Sequence, residues 1–95
     1  MTAKWKDKII AQSDNTIVVE GNQYFPPEDV NMEMLEENNE KHYTCPWKGE
    51  AQYYDLVADG KRKTAAVWSY PDPKPAARNI KGYKAFEIDE EVSVE

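Results

Sequence analysis

The sequence feature that most constrains the fold is a pair of long strand-type segments joined by a two-residue turn signal. Residues 51–58 read AQYYDLVA, residues 63–70 read KTAAVWSY, and Asp59-Gly60 lies between them. Asp-Gly favours the left-handed dihedral angles of a tight hairpin, and aromatic and β-branched residues favour strands. The apolar run AAVW is typical of a strand that is buried on both faces. We therefore predict that these two strands form the centre of an antiparallel sheet.

The first part of the chain shows the same alternation of strands and turns. TIVVE, residues 16–20, predicts a strand because three β-branched apolar residues stand in a row. Gly21-Asn22 predicts a tight turn into the next strand, and Pro26-Pro27 predicts its end because proline donates no hydrogen bond to a sheet. Two acidic residues then suit the positive end of a helix dipole, so residues 28–36 predict one or two helical turns.

The last part of the chain alternates a stiff loop with further extended segments. Residues 70–75 carry three prolines at alternate positions, which predicts an extended loop. Residues 76–79 predict one helical turn and residues 83–88 a final strand, whereas residues 89–95 predict an acidic tail or an edge strand. The predicted fold is mainly β: one compact antiparallel domain over residues 1–95, with one or two short helical turns.

Composition excludes several classes of function. The chain has 95 residues, a net charge of −6, one cysteine and one histidine. A negative chain repels phosphate backbones, so we predict no nucleic-acid partner. One cysteine forms no internal disulfide, and one cysteine with one histidine leaves a four-ligand zinc site incomplete; we predict no metal and no cofactor. No segment is apolar enough for a signal peptide or a membrane span, which predicts a cytoplasmic location and no membrane partner. No feature specifies an oligomeric state.

The segment CPWKG, residues 45–49, carries the first candidate chemistry. Cys45 offers a thiol, Lys48 a positive charge that would lower its pKa, and His42 a base three residues earlier. The same residues also suit a rigid turn, because proline fixes its backbone, glycine frees it, and cysteine and tryptophan are often buried. Both interpretations, a reactive site and a well-packed turn, stay open at this point.

A second candidate site combines this turn with the proline-rich loop. A stiff loop that carries charged residues loses little entropy on binding, and tyrosine and tryptophan commonly line small-molecule pockets. Our leading hypothesis is a small anionic ligand between the CPWKG turn and the YPDPKP loop. The residues predicted to bind it are Lys48, Tyr54, Trp68, Tyr70 and Asp72.

Three stretches together resemble a known family: VVEGNQYFPPEDV at 18–30, TCPWKGEAQYY at 44–54 and AVWSYPDPKPAARNIKGYKAF at 66–86. They are similar to the family of small bacterial domains called domain of unknown function 427. The resemblance implies a compact fold of the β-tent or barrel-like kind and covers nearly the whole chain. It also implies that these positions carry the family signature: Pro26, Pro27, Cys45, Pro46, Lys48, Gly49, Tyr54, Trp68, Tyr70, Pro71, Pro73, Ala76 and Gly82.

The family sometimes bears a nucleotidyltransferase label, which leaves three classes of function to compare. The first is the small-molecule-binding β domain. The second is a small enzyme that uses Cys45 as nucleophile and His42 as base, or one with a nucleotidyltransferase-like activity; the chain has neither the Gly-Ser nor the Asp-x-Asp elements that such transferases generally show. The third is a protein-interaction module that uses exposed aromatic side chains.

Overall fold

A computed structural model describes residues 1–95 as short strands with three 3-10 turns between them. The turns cover Pro27–Asp29, Met32–Met34 and Pro75–Ile80. The strands β1 to β11 are, in chain order, Thr2–Trp5, Lys8–Gln12, Ile17–Val19, Asn22–Tyr24, Leu35–Asn38, Thr44–Cys45, Gly49–Glu50, Gln52–Ala58, Lys61–Ser69, Lys84–Phe86 and Val92–Val94.

The strands form four antiparallel sheets. The largest has the order β10-β9-β8-β5, a second has the order β11-β1-β2, and β3-β4 and β6-β7 are separate two-stranded ribbons. The prediction of a mainly β, antiparallel fold is therefore confirmed. The barrel-like form is not adopted, because no sheet closes on itself. Residues 92–94 pair along β1, so the end of the chain lies at a sheet edge.

The hairpin β8–β9 lies at the centre of the large sheet, where the sequence placed it. Asp59 and Gly60 have φ angles of 52° and 76°, the left-handed values that this turn requires. Tyr53 and Trp68 are directly opposite partners, and so are the next pair along, Tyr54 and Val67. Because side chains alternate along a strand, these two pairs face opposite sides of the sheet.

An irregularity interrupts this hairpin after Tyr54. Ala65 has a φ of 52°, which is uncommon outside glycine. The buried carboxylate of Asp55 accepts the Ala65 backbone N–H at 2.7 Å, the Asn38 amide at 2.9 Å and the Arg62 guanidinium at 2.7 Å. Those bonds satisfy the buried charge and hold the left-handed residue in place.

One local prediction differs from the structure. The turn after β3 is centred on Glu20 and Gly21, with φ angles of 53° and 81°, one residue earlier than the expected Gly21-Asn22. The one or two helical turns predicted within residues 28–36 are present as two 3-10 turns. They end where Leu35 begins to pair with Leu56 on β8, at the edge of the large sheet.

The large sheet separates two apolar cores. One core joins its first face to the sheet β11-β1-β2 and contains Trp5, Val67 and Phe86. The other lies on the opposite face and contains Tyr53 and Tyr70 among its residues. No helix of this protein is long and apolar enough to cross a membrane.

Candidate functional site

The CPWKG turn, residues 45–49, and the proline loop, residues 70–75, lie side by side. The backbone N–H of Lys74 donates to the carbonyl oxygen of Lys48 at 2.9 Å. The ammonium of Lys74 donates to the carbonyl oxygen of Pro46 at 2.7 Å. These two hydrogen bonds join segments that are far apart in the sequence, so that side chains from both can reach a common space.

Gly49, the last residue of the turn, lies against the proline loop. Its φ angle is +111°, a conformation that side-chain-bearing residues rarely adopt. A Cβ atom at this position would lie 3.5 Å from both the carbonyl oxygen of Asp72 and the amide nitrogen of Lys74. The neighbouring loop would meet this Cβ at ordinary van der Waals distance, so it is the backbone angle that requires glycine at this position.

Lys48 is the main charged group of the site. Only 5% of the residue is exposed, and its ammonium lies 5.3 Å from the centroid of the Tyr70 ring and 5.2 Å from that of Trp47. Burial by itself would lower the pKa of Lys48, but the hydrogen bond that its ammonium donates to the Glu20 carboxylate acts in the opposite direction, and the pKa is raised overall. Lys48 is therefore a cation at neutral pH, held against two aromatic rings.

Glu20 is the acidic partner of Lys48. One carboxylate oxygen pairs with the Lys48 ammonium, and the other accepts the indole N–H of Trp47 at 3.4 Å. The hydrogen bond from Lys48 lowers the pKa of Glu20. Glu20 occupies the first central position of the turn after β3 with positive φ, where asparagine, aspartate or glycine is the usual residue. A left-handed conformation costs such a residue about 1–2 kcal/mol.

Behind Lys48, a cavity of about 210 Å³ opens against the second face of the large sheet. Aromatic rings dominate its lining, with two lysines and one glutamate among them. The lining residues are Asn22, Tyr24, Lys41, Tyr43, Lys48, Tyr53, Ala65, Trp68, Tyr70 and Glu87.

Contacts among the rings fix the shape of this cavity. The indole N–H of Trp68 donates to the hydroxyl of Tyr24 at 3.0 Å, and the two rings meet edge to face at 6.5 Å. The ammonium of Lys41 lies 4.6 Å from the centroid of the Tyr53 ring, at the exposed side. Burial raises the pKa of Tyr53, and it raises that of Tyr70 far above its usual range. Both phenols are therefore neutral hydrogen-bond donors at neutral pH.

The structure brings three of the five predicted ligand-binding residues together: Lys48, Trp68 and Tyr70 all line the cavity. Tyr54 lies outside it, because its strand position directs it to the first core, where the Lys84 ammonium lies 5.4 Å from its ring. Asp72 is exposed and lines a separate cleft of about 190 Å³ beside Glu50, Ala51, Gln52 and Pro71. The proline loop contributes to the site through its backbone and Tyr70 and not through Asp72.

The two residues of the thiol hypothesis lie in different environments. Cys45 is 4% exposed and belongs to the second core, whereas His42 is exposed. No hydrogen bond joins the Cys45 sulfur to the His42 ring. A histidine that activates a thiol as its base lies within hydrogen-bonding distance of it. No group of three or more histidine, cysteine, aspartate or glutamate side chains is arranged to hold a metal ion.

Sequence reasoning missed several lining residues. Tyr53, and not its neighbour Tyr54, lines the cavity, because Tyr53 is the residue that pairs with Trp68 across the hairpin. Tyr24, Tyr43 and Lys41 come from other segments and carry no local signal. Glu20 does carry one, because a glutamate before glycine at a hairpin turn is a departure from turn preferences.

The fold and the cavity define a class: a small antiparallel β domain with one buried lysine at the edge of an aromatic-lined cavity. The model of the family described as Domain of unknown function (DUF427) matches residues 1–95, and the chain belongs to that family. A search among curated proteins finds no match to this chain.

Proposed function

We propose that this protein binds a small anionic molecule in the aromatic-lined cavity. The observation that carries the proposal is the Lys48 ammonium, which is buried, cationic and directed against the Tyr70 ring of the cavity. Electrostatic attraction is stronger at a buried cation than at the surface because the surrounding medium screens it less. The aromatic lining adds apolar contact area for the body of the ligand.

The size of the cavity limits the ligand. Its volume of about 210 Å³ lies below the range of about 300–1,000 Å³ that is typical of drug-sized ligands. A ligand of one ring with a single acidic group suits this space better than a whole nucleotide. The neutral hydroxyls of Tyr53 and Tyr70 offer hydrogen bonds to its polar atoms.

The thiol and interaction alternatives are less well supported. Burial of Cys45 and exposure of His42 count against a thiol nucleophile. Tyr43 and Trp47 are exposed aromatic residues, but Tyr43 lines the cavity and Trp47 donates to Glu20. Their contacts are consistent with the edge of a small-molecule site.

Thermal denaturation with a panel of aromatic carboxylates, sugar phosphates and nucleotides tests the proposal. A ligand at 100 times its Kd adds about 2.7 kcal/mol to the free energy of unfolding, which raises the Tm of a domain this size by about 10–20 °C. We expect small one-ring anions to produce the shift and Lys48→Met to abolish it. Failure of every ligand to raise the Tm would refute the proposal.

Two further variants test whether the ligand-induced shift depends on the cavity and on the position of the positive charge. Tyr43→Ala removes an exposed ring from the cavity wall and is expected to weaken the ligand-induced shift without unfolding the protein. Lys81→Met removes an exposed lysine that lies outside the cavity lining and is expected to leave the shift unchanged. Equal loss in Lys48→Met and Lys81→Met would indicate non-specific charge attraction.

A further inference from the structure

The Glu20 carboxylate already occupies the Lys48 ammonium, the group that we propose binds the anionic group of a ligand. It pairs with the Lys48 ammonium through one oxygen and accepts the Trp47 indole N–H through the other. Lys48 is buried, whereas 54% of the Glu20 side chain is exposed. The glutamate therefore covers the buried cation from the solvent side.

The backbone around Glu20 gives an independent reason to look for a role. Glu20 and Gly21 are the two central residues of a tight turn, and both have positive φ angles. Glutamate is a poor choice for the first of these positions, where asparagine, aspartate or glycine fits with less strain. Residues held in backbone conformations that their type disfavours are concentrated at functional positions of proteins.

Lys48 connects this carboxylate to the cavity. Its ammonium contacts Glu20 on one side, while the ring of Tyr70, a cavity residue, lies 5.3 Å away. A buried charge left without a partner is unfavourable, so Glu20 occupies Lys48 in most molecules when no ligand is bound. Ligand binding is then an exchange of one anion for another at the same ammonium.

We infer that the ligand is an aromatic carboxylate whose carboxyl group replaces that of Glu20 on Lys48, so that Glu20 acts as a built-in competitor. This inference rests on the proposed function and adds the class of the anionic group. A carboxylate is the group that Lys48 already binds in this protein, and a single ring matches the cavity volume and its aromatic lining. No bond is made or broken in the exchange.

Calorimetric titration of benzoate tests this inference in the wild type and in Glu20→Gln. The apparent affinity of a site equals its intrinsic affinity multiplied by the fraction of molecules in which the site is free. A competitor that occupies Lys48 in about nine-tenths of the molecules therefore weakens binding about tenfold. We expect benzoate to bind Glu20→Gln about tenfold more tightly than the wild type. Glu20→Asn is a second variant whose residue suits the turn, and we expect the same gain.

Three comparisons make the result specific. Glu90→Gln removes an exposed carboxylate that makes no ion pair and is expected to leave benzoate affinity unchanged. Benzamide, the neutral analogue, is expected to bind none of the proteins, and phenyl phosphate to bind more weakly than benzoate in each of them.

The outcomes separate this inference from the proposed function. Equal benzoate affinity in the wild type and in both Glu20 variants would overturn the competitor role and leave anion binding standing. Phenyl phosphate that binds as tightly as benzoate would overturn the carboxylate class alone. Absence of binding by benzoate and phenyl phosphate in every variant would overturn the inference, and the proposed function would fall with it only if the whole panel of anions also failed to raise the Tm.

Discussion

The backbone N–H of Lys74 donates to the carbonyl oxygen of Lys48, and this bond ties the proline loop to the turn that carries the buried cation. A second bond, from the Lys74 ammonium to the Pro46 carbonyl, reinforces the contact. The position of Lys48 therefore depends on two segments, a turn that contains Pro46 and a loop that contains three prolines. A binding group held in this way loses little entropy when a ligand arrives.

Gly49→Ala is expected to destabilise the protein, because the φ of +111° at Gly49 is outside the range that alanine adopts readily. Strain of this kind costs about 1–3 kcal/mol, which chemical denaturation with urea will measure. Gly60→Asn is the matched control: its φ is +76°, no neighbour lies within 4 Å of the added Cβ, and asparagine tolerates left-handed angles. Similar losses in both variants would contradict the special role of Gly49.

Asp55→Ala is expected to cost about 1.5–3 kcal/mol of unfolding free energy, the range for hydrogen bonds to a charged group. The substitution removes the acceptor of the Ala65 backbone N–H and of the Asn38 amide in the central sheet. Urea denaturation measures the loss. Asp7→Ala, at an exposed turn position, is the control and is expected to change stability by less than about 0.5 kcal/mol. A loss no larger in Asp55→Ala than in Asp7→Ala would show that this network is dispensable.

The central hairpin could be predicted because its information is local. Asp59-Gly60 specifies the turn, and the flanking residues specify strands, whatever the rest of the chain does. The face on which Tyr53 and Tyr54 lie could not be predicted in the same way. It depends on the register with Val67 and Trp68, and an irregularity supported by distant side chains interrupts that register.

The ion pair of the site could not be predicted from the sequence either. Lys48 was identified as a candidate, but its burial and its pairing with Glu20 join positions 28 residues apart. The sequence around Lys48 gives no indication that Glu20 is its partner, and the sequence around Glu20 gives none that Lys48 is. Asp72 looked like a site residue because it lies within the proline loop, yet in the extended loop its side chain points away from the cavity that Tyr70 lines.

Acid is expected to weaken the attachment of the last strand. Hydrogen bonds from Lys63 lower the pKa of Asp89 to about 2 in the folded protein, from an ordinary value near 3.8. A carboxyl group whose pKa is lower in the folded than in the unfolded protein stabilises the fold at pH values above its unfolded pKa. That contribution is lost as the pH falls from about 4 through about 2. Urea denaturation should show Asp89→Asn less stable than the wild type at pH 6, with most of this difference lost at pH 2. A difference that persists unchanged at pH 2 would contradict this sign.

The thiol of Cys45 is expected to react slowly in the native protein, because the residue lies in the second core. An alkylating reagent should modify it at a rate limited by opening of the fold, and quickly once urea unfolds the chain. The measurement is the rate of modification against pH and urea concentration. Fast native reaction at neutral pH would instead favour the Cys45 nucleophile.

The most direct test of the account is a map of where a small anion binds. Nuclear magnetic resonance with isotope-labelled protein can follow the side-chain signals of Tyr53, Tyr54, Tyr70 and Lys48 as benzoate is added. We predict that the signals of Tyr53, Tyr70 and Lys48 move together while those of Tyr54, on the opposite face of the sheet, stay in place. Movement at Tyr54 without movement at Lys48, or no movement at all, would contradict a binding site in the aromatic-lined cavity.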